Sequence, residues 1–319
     1  MNLFFALLTL LSYIFLLMFA VFKLAKQLRH HFSGVAQVRL VEFTKRPLSG
    51  ALIGTFFTTL LQSSTAVTVI TITLVSAEVL PLLNAYAIII GANVGTTLSS
   101  QLVANGATLF GPVLLVIGFL AQFLKHRITK YSKSIFYLGL VFVIIQLLSQ
   151  QAKILGEFDA VTSLLTSFTN IYLITFVGAC VAALLQSSSV ITFLVIIFVG
   201  SGVITTEQAL GLLIGANVGT SMTGLIASLP LSISAQRVAI AHTVFNLLGI
   251  VITLPILGFW LWTLPFLGST SALQVVNWNI LFNVLSAVLA LVFFQQFVTL
   301  VTWIDRMIPR VHIDEKDLD

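Results

Sequence analysis

Uncharged polar side chains that can bind ions occur twice, in matching order, within otherwise apolar sequence. Leu-Leu-Gln-Ser-Ser begins at Leu60 and at Leu184, and Gly-Ala-Asn-Val-Gly-Thr begins at Gly91 and at Gly215, both with an offset of 124 residues. Amides and hydroxyls supply hydrogen-bond donors and acceptors without charge. Their oxygens suit a hard cation such as Na⁺, and the N–H groups at the start of a broken helix favour an anion. The pattern therefore predicts a site that binds an anion and a cation together.

Duplication argues against a purely structural explanation of these residues. Ser and Thr in membrane helices often bond to their own helix or to a neighbour. Gly91 and Gly95, like Gly215 and Gly219, also have the spacing of a close helix-packing motif. Packing does not account for the amides and hydroxyls among these glycines. The residues expected to bind the cation or to shape its site are Asn93, Thr96, Thr97, Asn217, Thr220 and Ser221.

The composition places the chain in a lipid bilayer. Of 319 residues, 58% are hydrophobic and 8% are charged, and the mean hydropathy is +1.10, which excludes an ordinary soluble domain. The one cysteine, Cys180, excludes a disulfide framework and a cysteine metal site. The net charge is +5, but the basic residues lie in short loops between apolar runs. We therefore expect no nucleic-acid partner.

Two apolar stretches have a length that does not suit an ordinary span of about 20 residues. Residues 48–80 and 171–204 are mostly apolar and contain Gln-Ser-Ser. As single helices they would be about 50 Å long, too long for one crossing and too short for two. We predict that each is a re-entrant pair of half-helices that turns at Gln-Ser-Ser. The full spans are predicted near residues 3–24, 82–104, 107–124, 134–150, 208–227, 238–262 and 278–304.

The distribution of Lys and Arg predicts the orientation. If the first hairpin enters and leaves on the cytoplasmic side, every Lys and Arg except Lys153 falls in the cytoplasm, as the positive-inside rule requires. A single span over residues 48–80 would separate the basic loops 23–46 and 125–133. We therefore expect a multi-pass protein of the cell (inner) membrane, with its N-terminus outside and its C-terminus in the cytoplasm.

An odd number of crossings separates the two predicted hairpins, so the two copies should be inverted in the membrane. The expected fold is an all-α polytopic membrane protein with two inverted-topology repeats, an architecture typical of transporters. Because neither copy could bury its hairpin alone, residues 1–319 should form one domain. Its parts are repeat one at 3–124, repeat two at 134–262, a terminal span at 278–304 and a short cytoplasmic tail at 305–319.

A further polar group appears in the second half only. His242 and Asn246 lie four residues apart, on one helical face, and Arg237 is just upstream, whereas the first half has Gly118 and Gln122 at the equivalent positions. These three residues are candidates for an accessory role at the site. The alternative is an interhelical hydrogen bond for His242 and Asn246 and an interfacial anchor for Arg237.

The paired signatures resemble those of the type II sodium-phosphate cotransporter family, in its shorter bacterial form. In both copies the Asn of Gly-Ala-Asn-Val-Gly-Thr follows the Gln of Gln-Ser-Ser by 31 residues, and the resemblance covers nearly the whole chain. Residues 237–246 resemble a further family element, which animal members carry in both repeats; its single occurrence leaves the Na⁺ stoichiometry open. The resemblance implies that the two hairpins form the phosphate site and contribute to Na⁺ binding. The residues so implied are Gln62, Ser63, Ser64, Thr65, Gln186, Ser187, Ser188 and Ser189.

The resemblance further implies sodium-coupled phosphate symport by alternating access, without covalent chemistry. Na⁺ would be a coupling ion rather than a cofactor, the partners would be phosphate, Na⁺ and lipid, and a homodimer is left open. A carrier of another oxyanion, or a phosphate exporter, would use the same site. A remote alternative is an intramembrane serine hydrolase with His242 as base, although no Gly-x-Ser-x-Gly setting is present. Many bacterial relatives carry a soluble regulatory domain after the last span, whereas this chain ends at Asp319, so regulation is expected to come from elsewhere.

Overall fold

The chain folds into helices, as its apolar composition favours. The structure is a computed structural model that describes residues 2–31, 43–44, 46–61, 63–104, 110–123 and 129–308. Within these ranges the regular elements are helices, and none is a strand. The predicted all-α class is confirmed for this part of the chain.

Fourteen α-helices succeed one another along the described residues, with short 3₁₀ turns at Ala121–Phe123, Leu254–Ile256 and Leu264–Phe266. They are α1 (Leu3–His31), α2 (Pro47–Leu61), α3 (Ser64–Ser76), α4 (Leu82–Ala104), α5 (Gly111–Leu120), α6 (Thr129–Gly156), α7 (Asp159–Ser167), α8 (Ile171–Leu185), α9 (Ser188–Gly200), α10 (Thr206–Ser228), α11 (Ile233–Thr253), α12 (Leu257–Thr263), α13 (Ser271–Val292) and α14 (Phe294–Met307).

Both stretches that contain Gln-Ser-Ser are divided into two helices at that sequence. Ser63 and Ser187 have extended backbones, with φ of −156° and −147°, and cap the helices α3 and α9 that follow them. Gln186 adopts a left-handed conformation with φ of 50°, which ends α8. Helices α8, α9 and α10 begin and end 124 residues after α2, α3 and α4. The sequence offset is therefore also an offset of helix boundaries.

Helices α2 and α4 run side by side in the same direction. Gly50 near the start of α2 packs against Ala87 near the start of α4, and Thr58 near the end of α2 packs against Gly95. Because α4 starts beside the start of α2, α3 must return the chain from the far end of α2. Helices α8 and α10 pair in the same way, with α9 as the returning helix.

Two glycines allow these parallel helices to touch. A Cβ atom on Gly91 would lie 1.8 Å from the carbonyl oxygen of Ala51, and one on Gly215 would lie 1.9 Å from that of Thr175. Both contacts are with backbone, which a side chain cannot displace by a rotamer change. The Thr55 hydroxyl also donates to the Gly91 carbonyl at 2.9 Å. The packing role considered for these glycines is therefore present.

The returning helix of each pair packs against the other half of the chain. Helix α3 contacts α10 and α11, and α9 contacts α1 and α4, in addition to α6 and α13. One buried apolar cluster joins side chains of α1, α6, α9, α10 and α13, and the other joins α3, α4, α11 and α14. Each cluster thus draws on both halves, so the two halves interlock.

The outer surface is apolar. Large side chains such as Phe15, Phe56 and Phe176 are exposed, which is unfavourable in water and ordinary in lipid. Together with the helix lengths, this identifies a membrane protein. Five described helical segments are long and apolar enough to cross a membrane: Leu3–Val21, Tyr131–Gly156, Thr206–Ser228, Ile233–Phe266 and Ser271–Val292.

Three predicted spans differ from this set. Helix α4 (Leu82–Ala104) is absent from it but has the bounds predicted for a span and 23 residues. The apolar helical segment Gly111–Phe123 is shorter than a crossing needs, and residues 105–109 and 124–128, on either side of residues 110–123, lie outside the described ranges. The span predicted at 278–304 contains parts of two helices, because the chain turns at Phe293. Helix α14 buries one face, with Phe297 and Val301, and exposes polar side chains on the other.

Candidate functional site

The two Gln-Ser-Ser sequences meet in space. The Ser64 hydroxyl oxygen lies 3.4 Å from the Ser188 hydroxyl oxygen, although these residues are 124 positions apart. Both serines are the first residues of their helices, α3 and α9, and both side chains are buried. Two helices from opposite halves of the chain therefore begin at one point.

The serine before each helix start acts as its cap. Ser63 Oγ accepts a hydrogen bond from the Ala66 N–H at 3.2 Å, and Ser187 Oγ accepts one from the Val190 N–H at 3.4 Å. The N–H groups of the first helical residues have no acceptor within an α-helix, and they point out of the helix start. The partial positive charges of two helix dipoles are thus directed to the Ser64–Ser188 contact, an arrangement that favours an anion.

The remaining phosphate candidates that the structure describes lie next to this contact in the chain. Ser189 is buried in the first turn of α9, and Thr65 is half-buried in the first turn of α3. Gln186 is exposed at the turn before Ser187, and its backbone N–H donates to the Ala182 carbonyl at 2.9 Å. Gln62, the equivalent residue of the first half, lies outside the described residues.

Four hydroxyls proposed from sequence as cation ligands bond to their own helices. Each donates to a backbone carbonyl three or four residues earlier, at 2.6 to 3.2 Å. A hydroxyl that donates in this way keeps its lone pairs, so it can still coordinate a cation. The local bonds nevertheless match the structural alternative considered above. These residues are Thr96, Thr97, Thr220 and Ser221.

The two asparagines of the repeated motif differ in their partners. Asn93 is buried and its amide donates to the Ile89 carbonyl at 3.1 Å. The Asn217 amide nitrogen is buried and has no hydrogen-bond partner among the described residues. The Asn217 backbone carbonyl accepts a hydrogen bond from the Asn246 amide at 2.7 Å. Asn246 therefore connects α11 to the motif in α10, as the structural alternative for this residue foresaw.

Arg237 takes part in an ion pair that sequence analysis could not assign. Its Nε lies 2.7 Å from Asp305 Oδ2, and the Asp305 side chain is 2% exposed. The pair joins α11 to α14, a structural role that differs from both the accessory role and the interfacial anchor considered for Arg237. Nothing in the sequence links two residues 68 positions apart.

His242 lies beside the helix that starts at Ser64. It is buried, and its Nδ1 has no hydrogen-bond partner among the described residues. A Cβ atom on Gly224 would lie 4.0 Å from this nitrogen and 3.2 Å from Thr68 Cγ2. Within the described residues no hydrogen bond joins His242 to a serine of the helix starts, so the geometry gives no support to the serine hydrolase alternative.

Thr68 is a further candidate for ligand binding that the sequence patterns did not single out. It is buried one helical turn after Ser64, and its hydroxyl has no partner among the described residues. Thr192 occupies the equivalent position in α9 and is also buried. The signal that could have found both is a Thr four residues after the second Ser of each Gln-Ser-Ser.

Comparisons with known proteins agree on a family. The model of the family described as Na⁺/Pi-cotransporter matches residues 16–150 and 155–307. A Bacillus subtilis (strain 168) protein named "Uncharacterized protein YqeW" is 34% identical over 79% of this chain and 83% of its own length. No solved structure matches the chain.

Two further relatives have functional names. "Putative inorganic phosphate export protein YjbB" of Escherichia coli (strain K12) is 27% identical over 86% of this chain. This chain spans about half of that protein's length, 52%. "Sodium-dependent phosphate transport protein 2C" of Mus musculus is 45% identical over 85 residues, which are 25% of this chain and 14% of that protein.

Proposed function

Because the chain belongs to the Na⁺/Pi-cotransporter family, we propose that it carries inorganic phosphate across the cell membrane together with Na⁺, by alternating access. The observation that carries this proposal is the 3.4 Å contact between Ser64 and Ser188. One ligand at that contact would touch both halves of the chain. Its binding would therefore depend on how the halves are arranged, which is the requirement for alternating access.

Charge gives Na⁺ coupling a physical cause. Phosphate carries one to two negative charges near neutral pH, whereas the sequences of α2, α3, α8 and α9 contain no charged residue. Placing such an anion in a low-dielectric site is costly unless charge is compensated. Helix starts offset part of that cost, and Na⁺ bound beside the anion would offset more. Candidate Na⁺ ligands are the oxygens of the two Gly-Ala-Asn-Val-Gly-Thr motifs.

The membrane arrangement belongs to the same proposal. We infer that α2–α3 and α8–α9 are re-entrant hairpins in two repeats of opposite orientation, with the N-terminus outside and the C-terminus in the cytoplasm. Support comes from α3 and α9, which return the chain, from the shared offset of 124 residues, and from a family match in each half. Hairpins that enter from opposite faces would meet near the middle of the membrane, where α3 and α9 begin.

Phosphate export is a second candidate, because one relative is named for it. The same site could serve either direction, since a carrier follows the sum of the gradients of the ions it couples. The relative named for sodium-dependent phosphate transport supports coupling to Na⁺, and an inward Na⁺ gradient would drive import. A carrier for another oxyanion would also fit the uncharged site.

Radiolabelled phosphate flux in proteoliposomes tests these alternatives. Under the main proposal, an inward Na⁺ gradient drives uptake above equilibrium, choline in place of Na⁺ removes most of it, and sulfate competes weakly. Binding of phosphate to purified protein across a Na⁺ titration at constant ionic strength should show a rising affinity. Coupling must be reciprocal, so phosphate should raise the Na⁺ affinity by the same factor.

The outcomes separate the candidates. Flux that is independent of Na⁺ in both directions would reject symport and leave a phosphate carrier of another mechanism. Flux that is driven by a proton gradient and not by a Na⁺ gradient would reject Na⁺ coupling, and net phosphate release from cells that express the protein would favour export. Saturable sulfate transport with no phosphate transport would assign another oxyanion.

A further inference from the structure

The break between α13 and α14 leaves an apolar cavity on the outer side of α11. Its volume is about 210 Å³, and its walls include Phe245 and Gly249 of α11, Ser286 of α13, Phe293 at the break and Phe297 of α14. The cavity lies away from the Ser64–Ser188 contact, since no residue of α3 or α9 lines it. It is therefore separate from the proposed transport site.

A shallow and mostly apolar depression continues from this cavity along α14. Gln295, Thr299 and Trp303 line it, and Gln296 and Leu300 belong to both spaces. Arg306 follows Trp303 by three residues and is exposed. Within the described residues, Arg306 forms no ion pair. The surface thus passes from apolar, through amide and hydroxyl groups, to a tryptophan and a positive charge.

The geometry points to a binding site for one anionic phospholipid, with an acyl chain in the cavity and its headgroup beside Trp303 and Arg306. The order of groups along the surface matches the order of groups along such a lipid. Tryptophan favours the level between acyl chains and headgroups, and an exposed arginine near the bilayer surface attracts anionic lipid. The distance from Arg306 back to Phe293 is 13 helical residues, about 20 Å, which is the scale of an acyl chain.

A lipid explains the surface better than a second copy of this chain. The cavity is concave, whereas a pair of α14 helices would present two convex surfaces to each other. An apolar cavity that opens towards the bilayer is filled by acyl chains, because water would find no polar partners in it. The depression along α14 alone would not select a headgroup, but the adjoining charge at Arg306 selects an anionic one.

Occupancy of this site would act on α11. Phe245 faces the cavity, and the next residue, Asn246, donates to the Asn217 carbonyl of α10. His242, one turn earlier, adjoins Thr68 of α3. A bound lipid would therefore contact one face of α11, while the opposite face of α11 contacts the helices that carry the proposed transport site.

Quenching of Trp303 by brominated lipid tests the proposal in nanodiscs. Brominated phosphatidylglycerol should quench the Trp303 emission, defined by difference from Trp303→Phe, at a lower mole fraction than brominated phosphatidylcholine. Arg306→Gln should reduce this preference about five-fold, since one arginine near the surface contributes on the order of 1 kcal/mol. Ser286→Phe fills the cavity and should weaken quenching by both lipids.

Matched variants control for surface change. Leu285→Phe alters the neighbouring exposed residue outside the cavity, and Lys133→Gln removes an exposed charge elsewhere; both should behave as wild type. Equal quenching in wild type and Ser286→Phe would overturn acyl-chain binding. Equal quenching by the two lipids in wild type would overturn headgroup selection, and a disulfide dimer formed in the bilayer by Trp303→Cys in a Cys180→Ala background would assign the surface to a second copy. None of these readouts depends on phosphate transport.

Discussion

The hydroxyl oxygens of Ser64 and Ser188 lie 3.4 Å apart and occupy the same position in two copies of one motif. The pair relates the two halves of the chain at a single point, where α3 and α9 both begin. A ligand that binds there would contact one serine from each half. Under the proposed function, the contact would explain why the chain has two Gln-Ser-Ser sequences rather than one.

Loss of either serine hydroxyl should weaken phosphate binding. Ser64→Ala and Ser188→Ala each remove a hydrogen bond to a charged ligand, which costs about 1.5 to 3 kcal/mol, or roughly ten- to over a hundred-fold in affinity. Gln186→Ala, at the adjoining turn, should act in the same direction. The measurement is phosphate binding and uptake with normal membrane expression. Ser12→Ala, on the exposed face of α1, is the control, and wild-type affinity in the serine variants would refute the assignment.

A disulfide should form between cysteines placed at the two serines. In a Cys180→Ala background, Ser64→Cys with Ser188→Cys brings two thiols to the distance at which mild oxidation joins them. If phosphate binds between these side chains, it should slow the reaction. Thiol labelling before and after oxidation measures the yield. The control pair, Ser64→Cys with Ser12→Cys, should remain reduced. Failure of the Ser64→Cys and Ser188→Cys pair to cross-link would contradict the observed contact.

Sequence patterns predicted the helix breaks and the relation between the halves. Gln-Ser-Ser interrupts each apolar run at the turn before α3 and α9. The fixed offset of 124 residues indicated that α8, α9 and α10 correspond to α2, α3 and α4. These features are local, since a cap such as Ser63 acts on the three residues after it. Pattern and structure agree where local chemistry decides the backbone.

Features that depend on packing were not predictable. The turn at Phe293 contains no Gly or Pro, and the residues on both sides of it are mostly apolar. The sequence therefore suggested one span. The Arg237–Asp305 pair joins residues far apart in the chain. The meeting of the two helix starts was expected only as a consequence of inverted repeats, and the distance between Ser64 and Ser188 depends on the packing of the two halves.

Replacement of Gly91 or Gly215 should destabilise the protein more than replacement of Gly258. A Cβ atom at Gly91 or Gly215 would overlap a backbone carbonyl oxygen at 1.8 or 1.9 Å, whereas one at Gly258 meets nothing within 4 Å. Overpacking of this kind lowers the free energy of unfolding by about 1 to 3 kcal/mol. Because the overlapping atoms belong to backbone, the loss at Gly91 and Gly215 should lie at the upper end of this range. The thermal midpoint of detergent-solubilised Gly→Ala variants is the measurement. Equal midpoints for all three would contradict the close approach of the helices.

Replacement of Arg237 should lower the free energy of unfolding more than replacement of a fully exposed arginine. Arg237→Gln leaves the nearly buried Asp305 carboxylate without the guanidinium at 2.7 Å, and an uncompensated buried charge is strongly destabilising. Because Arg237 is itself 34% exposed, solvent screens part of the effect, and about 1 to 2 kcal/mol is expected. Asp305→Asn in the same chain should recover part of the loss. Additive effects of the two substitutions in a double-mutant cycle would show that the pair is not coupled.

The proposed inverted orientation predicts which loops are reached from each side of the membrane. In a Cys180→Ala background, cysteines at the exposed positions Glu157 and Thr270 should react with an impermeant maleimide added outside intact cells, because both loops are predicted to be extracellular. Cysteines at Lys133 and Leu229, also exposed, should react only after permeabilisation. Lys133 and Glu157 lie at opposite ends of α6, so a membrane-spanning α6 requires them to differ. Labelling of both from the same side would reject α6 as a span and, with it, the odd number of crossings that inverts the second repeat.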